Sequence, residues 1–364
     1  MDRRWSKERI WQWYNARPWI RGCNFLSSDC ANRIDQWQEY GWEERFKTAD
    51  RELELAAKTG FNSIRIVMEF YVWKEQHDGY MERLEKYIAM AAKHGISCMI
   101  VLGNDCMPVK EEALKRLYLG EQECHWGYHG GRKVSQHGTF DECGYHLLDD
   151  PELAKEHYEM VREIVEKYKD DERIIMWDVF NEPGNSNRKN LSLPHMKKFF
   201  EIIREINPIQ PLTAGIYTAY FTLKLPEIEQ FALDNSDIIS FHNYGTYESN
   251  ICILKCLKKL GRPIVNTEWL ARCMHNNVQE IYPLFYLEKV GCYCWGLVAG
   301  KNQTYEPWNV IWDQYEENPS LNFDFTKWFH DLYRPSLRPY DPKEIELMKR
   351  FAKRADEDFE KEEK

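Results

Sequence analysis

Residues 52–68 read ELELAAKTG-FNSIRIVM, an amphipathic run, then a glycine, then a short apolar stretch. The phrase returns at 87–102 (YIAMAAKHG-ISCMIVL), at 253–268 (ILKCLKKLG-RPIVNTE) and at 284–297 (LFYLEKVG-CYCWGL). Gly60, Gly95, Gly261 and Gly291 can each take the left-handed conformation that closes a helix, and the lysine before each adds favourable charge at a helix C-terminus. Each phrase therefore predicts a helix-to-strand junction. Between the junctions, apolar residues recur at helical spacing: Leu84, Ile88 and Ala91; Val161, Ile164, Val165 and Tyr168; Phe199, Ile202, Ile203 and Ile206.

The strands read as apolar runs without strict alternation, as parallel strands covered by helices do. They are expected near 19–25, 62–68, 97–103, 173–180, 211–216, 237–242, 262–267 and 292–297. Eight strands alternating with helices make an α/β protein, either a closed barrel or a doubly wound sheet. No glycine-rich GxGxxG turn follows the first strand, so the expectation is a (β/α)8 TIM barrel with extended β→α loops. A length of 364 residues suits one such barrel, typically about 250 residues plus insertions. Residues 1–341 are read as a single catalytic barrel with long loops at 104–149 and 300–325, and 342–364 as a C-terminal helix with a charged tail.

Composition narrows the function. A net charge of −10 and the absence of a basic stripe argue against nucleic acid as a partner. The N-terminus, MDRRWSKERIWQWY, is not a secretory leader, and no apolar run reaches the roughly 20 residues of a membrane span, so no membrane partner and a cytoplasmic location are expected. The 11 scattered cysteines fit reduced thiols better than a disulfide framework. The 14 Trp, 21 Tyr and 17 Phe could stack against the apolar faces of sugars, although most such rings belong to cores.

Two segments carry chemistry. In IIMWDVFNEPG, 174–184, an apolar strand runs into Asn181-Glu182-Pro183, and the proline stops the sheet, which sets Glu182 at a strand's C-terminal end. In RPIVNTEWLAR, 262–272, the same geometry delivers Glu268 to the same rim three strands later. Two carboxyls facing one pocket are what glycoside hydrolysis needs. In retaining enzymes they lie about 5–5.5 Å apart, one attacking the anomeric carbon while the other protonates the leaving oxygen. A glutamate alone is more often a solvated loop residue; the pairing at two strand ends is what carries the reading.

The segments RGCNFL (21–26), NSIRIVM (62–68), WDVFNEP (177–183), FHNYG (241–245), NTEWLAR (266–272) and CWGLVAGK (294–301) resemble the strand-end motifs of retaining barrel glycosidases of clan A. Within that clan the chain looks closest to family 5-like proteins of the cellulase family, often labelled β-1,4-xylanases, in which a similar RGCN segment is followed by a WQ helix start, here Asp35-Gln36-Trp37-Gln38. The resemblance spans nearly the whole barrel. It implies Glu182 as acid/base and Glu268 as nucleophile, Asn181 bonding the sugar 2-hydroxyl, and Arg65 holding Glu268 ionised. It further implies His242 and Tyr244 beside the nucleophile and Trp295 as the platform under the reacting sugar, with Trp37 among the substrate-binding residues.

One position departs from the family. Many members end strand three on a histidine, whereas this chain reads Gly103-Asn104-Asp105-Cys106. Glu69 and Asp105 are the expected replacements for its contacts to sugar hydroxyls. The loop holding Cys124, His125, His129, His137, Cys143 and His146 matches no structural zinc pattern cleanly. It is read as shaping the leaving-group side of the cleft, with Trp126 stacking. No cofactor and no metal are expected. The function expected is a retaining β-glycoside hydrolase acting by double displacement on β-linked oligosaccharides or small glycosides, exo-acting. An endo-acting β-glucanase, mannanase or xylanase, or a non-catalytic carbohydrate-binding barrel, are the alternatives. Carbohydrate is the expected partner, and the sequence does not set the oligomeric state.

Overall fold

The computed structural model describes residues 4–124, 129–132, 142–219 and 223–362. Eight parallel strands carry the fold: β1 (Arg21–Asn24), β2 (Ser63–Val67), β3 (Ser97–Val101), β4 (Ile174–Asn181), β5 (Leu212–Gly215), β6 (Ile239–His242), β7 (Ile264–Trp269) and β8 (Gly291–Trp295). Each falls at the expected place. Their order is β5-β4-β3-β2-β1-β8-β7-β6. The ring closes between β5 and β6 through a bridge of Ile216 to Phe241, the His242 N–H donating to the Ile216 carbonyl at 2.8 Å, and the paired hydroxyls of Thr213 and Ser240 at 2.7 Å. The result is a (β/α)8 barrel.

The junction glycines behave as expected at three of four positions, with φ of 98° at Gly60, 72° at Gly95 and 68° at Gly261. Gly60 is needed twice over, because a Cβ there would also lie 2.5 Å from Ala352 in the C-terminal helix. Gly291 is the exception. The left-handed residue that ends helix Val278–Leu287 is Lys289, with φ 54°, and Gly291 opens β8, where a Cβ would stand 3.1 Å from Val265 and 3.3 Å from Ile20. Close packing selects that glycine. The two long loops are also less irregular than expected, since they contain helices Lys110–Lys115 and Asn309–Glu317.

Two terminal segments finish the core. Helix Lys7–Asn15, capped by Ser6, sets Trp5, Ile10 and Tyr14 against Ile20, Met99, Met176, Ile238, Val265 and Tyr293 at the strand starts, plugging the barrel's lower end. Buried apolar surface of this kind stabilises by about 25 cal/mol per Å². Helix Pro342–Glu362 packs beside Val278–Leu287 and helix Trp42–Thr59. It is tied down by Glu344, which accepts from Arg272 Nε at 2.9 Å and Nη2 at 2.6 Å, both side chains being buried. Asp356 takes Arg21 at 2.7 Å but is itself half-exposed.

The two ties predict unequal costs. Glu344→Ala leaves the Arg272 guanidinium buried without its counter-charge and is expected to lower the unfolding free energy by about 3–5 kcal/mol, whereas Asp356→Ala removes a half-exposed carboxylate and opens the Arg21 guanidinium to water, so it should cost less, about 1–2 kcal/mol. Denaturant unfolding of both variants checks this, and equal losses would contradict it.

Candidate active site

The upper rim of the barrel is built by strand ends. β2 runs Ser-Ile-Arg-Ile-Val, and its central Arg65 points inward, 1% exposed, where neighbouring strands must satisfy it. They do so fully. Nε and Nη2 donate to Asp178 Oδ2 on β4 at 2.9 and 2.7 Å, Nη1 to Asn24 Oδ1 on β1 and Glu268 Oε1 on β7 at 2.7 and 2.8 Å, and Nη2 also to Asn181 Oδ1 at 2.5 Å. One cation therefore ties four strands together at the level of the two carboxyls.

Glu182 follows β4 with φ 44°, an uncommon conformation for a non-glycine residue, and its N–H donates to the Gly215 carbonyl at 3.1 Å. The strained step at the strand end, reinforced by Pro183, turns the side chain across the barrel mouth. His242 is paired in register with Glu268. Its Nδ1 lies 2.6 Å from Glu182 Oε1 and 3.3 Å from Glu268 Oε2. Tyr244 donates its hydroxyl to Glu268 Oε2 at 2.8 Å, and Trp308 packs edge-on against the Tyr244 ring at 4.9 Å. Oxygens of Glu182 and Glu268 and a nitrogen of His242 all fall within 4.8 Å of one another, close to the carboxyl separation of a retaining pair.

The charges interact strongly. Burial raises the Glu182 carboxyl, but His242 and the donors around it prevail and bring it down to about 2. At Glu268 burial prevails, with the neighbouring Glu182 adding to it against His242, Arg65 and Tyr244, and the carboxyl lies above its usual range. Protons here belong to the group rather than to one residue.

These side chains open on a cleft of about 410 Å³, lined also by Asn181, Trp295, His129 and Tyr217. The structure thus brings together Glu182, Glu268, Arg65, Asn181, His242, Tyr244 and Trp295. Three other expectations need correction or fall outside the site. Trp37 is fully buried, its Nε1 donating to the Val67 carbonyl at 2.8 Å and its ring against Tyr80 and Tyr87, so it is core and not a sugar contact. Asp105 is equally buried, receiving Arg188 Nε at 2.8 Å, Ser192 Oγ at 2.6 Å and the Gly184 N–H at 2.7 Å. Burial lifts it to about 6 despite Arg188, and its task is to anchor the turn after Glu182. Glu69 caps helix Phe70–Glu75 and faces Arg33 at 3.5 Å, beside an adjoining cavity of about 90 Å³ rather than the cleft itself.

Trp126, with His125 and His137, lies outside the described residues. Among the described residues of that loop, Cys124, His129, Cys143 and His146 do not converge on one point; His146 Nδ1 accepts from the Leu148 N–H and His129 stands 5.8 Å from Trp295. Asn24, Asp178, Cys106, Asn185, Tyr217 and Trp308 were not anticipated. Asp178 had a signal, a carboxylate inside an otherwise apolar strand. Tyr217 and Trp308 had none, since they stand on irregular segments.

Fold and paired carboxyls define a barrel hydrolase of the glycosidase kind. Residues 23–320 match the cellulase family, glycosyl hydrolase family 5, and the chain belongs to that family of retaining glycoside hydrolases. No curated protein matches the chain. Solved structures share the fold at low identity. The exo-β-1,4-mannosidase of Opitutaceae bacterium strain TAV5 has TM-score 0.59 and 14% identity over 93% of this chain, which spans only 60% of that protein. The family 5 mannosidase of Rhizomucor miehei has TM-score 0.57 and 13% identity over 94% of each chain. The β-1,4-mannanase of the sea hare Aplysia kurodai has TM-score 0.54 and 12% identity over 85% of this chain and 95% of that one.

The hub makes a prediction of its own. Arg65→Met leaves Asp178 and Glu268 buried without their cation and should cost about 3–5 kcal/mol of stability. Adding Asp178→Asn should recover at least about 1 kcal/mol of that loss, because the two groups are in contact and not additive. Denaturant unfolding of the single and double variants checks both; simple additivity would contradict the coupling.

Proposed function

We propose that the protein is an exo-acting β-glycosidase that cleaves short β-linked oligosaccharides, with β-1,4-linked mannosides as the substrate class, by double displacement between Glu268 and Glu182. The observation that carries the roles is the asymmetry of their partners. Glu268 accepts from a fixed guanidinium and a phenol, donors that stabilise negative charge where a nucleophile needs it. Glu182 instead lies one short hydrogen bond, 2.6 Å, from His242 Nδ1, a group through which a proton can reach it for the leaving oxygen.

In the first step Glu268 attacks the anomeric carbon, the glycosidic bond breaks, and Glu182 delivers its proton to the departing oxygen. Protonating Glu182 also removes the negative charge that opposes ionisation of Glu268. In the second step Glu182, now a base, takes a proton from water, which displaces Glu268 from the sugar. Asn181, held between Arg65 and Asn104 Oδ1, presents its side chain to the sugar 2-hydroxyl, and the half-buried Trp295 supplies a flat face beneath the ring.

The mannoside class is favoured by the neighbours, named as a mannosidase, an exo-mannosidase and a mannanase. Exo action is favoured by the long loops, which bring Cys106 and His129 from one side and Trp308 and Val310 from another to the cleft wall. A cytoplasmic location accords with eleven cysteines of which none forms a disulfide.

An aryl β-glycoside panel tests this. The expected result is turnover of the mannoside above the glucoside, galactoside, xyloside and cellobioside, a loss of at least about 10³-fold in Glu268→Ala, and azide rescue of Glu182→Ala with a β-glycosyl azide as product. Preference for another glycone would overturn the substrate class, and azide rescue in the Glu268 variant alone would reverse the roles.

A further inference from the structure

The end of β3, where the chain departs from the family resemblance, leaves one group in the cleft that the reaction above does not use. Cys106 Sγ lies 2.6 Å from Glu182 Oε2, the oxygen turned away from His242. Asn185 Nδ2 also bonds Oε2 and reaches the sulfur at 3.2 Å, and Asn181 Nδ2 approaches it at 3.7 Å. The thiol is held from below as well. The Cys106 N–H donates to Asn104 Oδ1 at 3.1 Å, and the preceding Asp105 is locked to Arg188. Cys106 is partly exposed and lines the cleft.

We propose that Cys106 is a positioning residue for the acid/base: its S–H donates to Glu182 Oε2, fixes the carboxyl plane so that Oε1 meets His242, and favours the ionised form that activates water in the second step. This rests on Glu182 being the acid/base. Donation to a carboxylate stabilises its charged form, yet a thiol is a weak donor, so Glu182 can still hold a proton in the first step. A stronger donor in this place would bind the charged form too firmly. Burial, with Glu182 and Glu268 adding to it, pushes the thiol well above its ordinary range, which keeps the proton on sulfur and makes the group a donor rather than a nucleophile.

The test uses the whole protein, the aryl glycoside it turns over, and Cys106→Ala and Cys106→Ser. The basic limb of the kcat/KM profile reports loss of the proton that the acid/base Glu182 must donate. Removing a donor raises that pKa, so in Cys106→Ala the limb is expected to move to higher pH by about half a unit to one unit. Cys106→Ser, which puts a stronger donor in the same place, should move the limb the other way, to lower pH than in the wild type. Limbs unmoved in a Cys106→Ala protein that melts like the wild type would overturn the proposal. Should the alanine variant melt early, a basic limb in Cys106→Ser that does not fall below that of the wild type overturns it instead. Failure of azide to rescue Glu182→Ala would be the separate signature that the acid/base assignment itself is wrong.

Discussion

A buried guanidinium at the floor of the cleft stands at the centre of this barrel, and most of the site follows from having to satisfy it. Arg65 has five donors in a rigid fork, and β1, β4 and β7 supply Asn24, Asp178, Asn181 and Glu268 to meet them. Because the bonds fan out across four strands, the position of Glu268 relative to β4 is set by covalent and hydrogen-bond geometry rather than by loop conformation. Glu182, next after β4, inherits that precision. A buried cation is costly unless paired, so the same contacts that orient the nucleophile also prevent the site from relaxing.

Around this rigid floor the wall is built from less regular pieces. The turn after Glu182 is pinned by the buried pair Asp105 and Arg188, and Arg188 carries the chain of charges on to Asp149 at the surface, away from the cleft. The segment before helix Asn309–Glu317 brings Trp308 against Tyr244, and so supports the nucleophile's phenol from behind. At the other end of the barrel the N-terminal helix seals the lower core. Preorganisation of donors in a water-poor site is the usual source of transition-state stabilisation, and here it is distributed over elements far apart in sequence.

The strands were legible because parallel strands sandwiched by helices read as apolar runs, and the two glutamates because each ends such a run. Arg65, His242, Tyr244, Asn181 and Trp295 were found by their place in strand-end motifs, and the structure brings all five to one cleft. Trp37 shows the limit of that reasoning: a motif gives a position along the chain but not the direction of a side chain, and this indole turns into the core. Asp105 failed for another reason. Its partner Arg188 lies far along the chain on a turn with no periodic pattern, so nothing local distinguished a structural acid from a sugar contact. The lower plug was likewise invisible, since its aromatic residues mark a helix without saying what it covers.

The account stands on Glu268 as the atom donor to a covalent glycosyl intermediate, and the most direct test is to trap it. A 2-deoxy-2-fluoro mannoside with a good leaving group should slow the second step more than the first and leave one sugar attached. Mass spectrometry of the digested protein is predicted to find the label on the peptide carrying Glu268, with no label in Glu268→Gln. A label on Glu182, or a hydrolysed substrate with no covalent species at any time, would contradict the account.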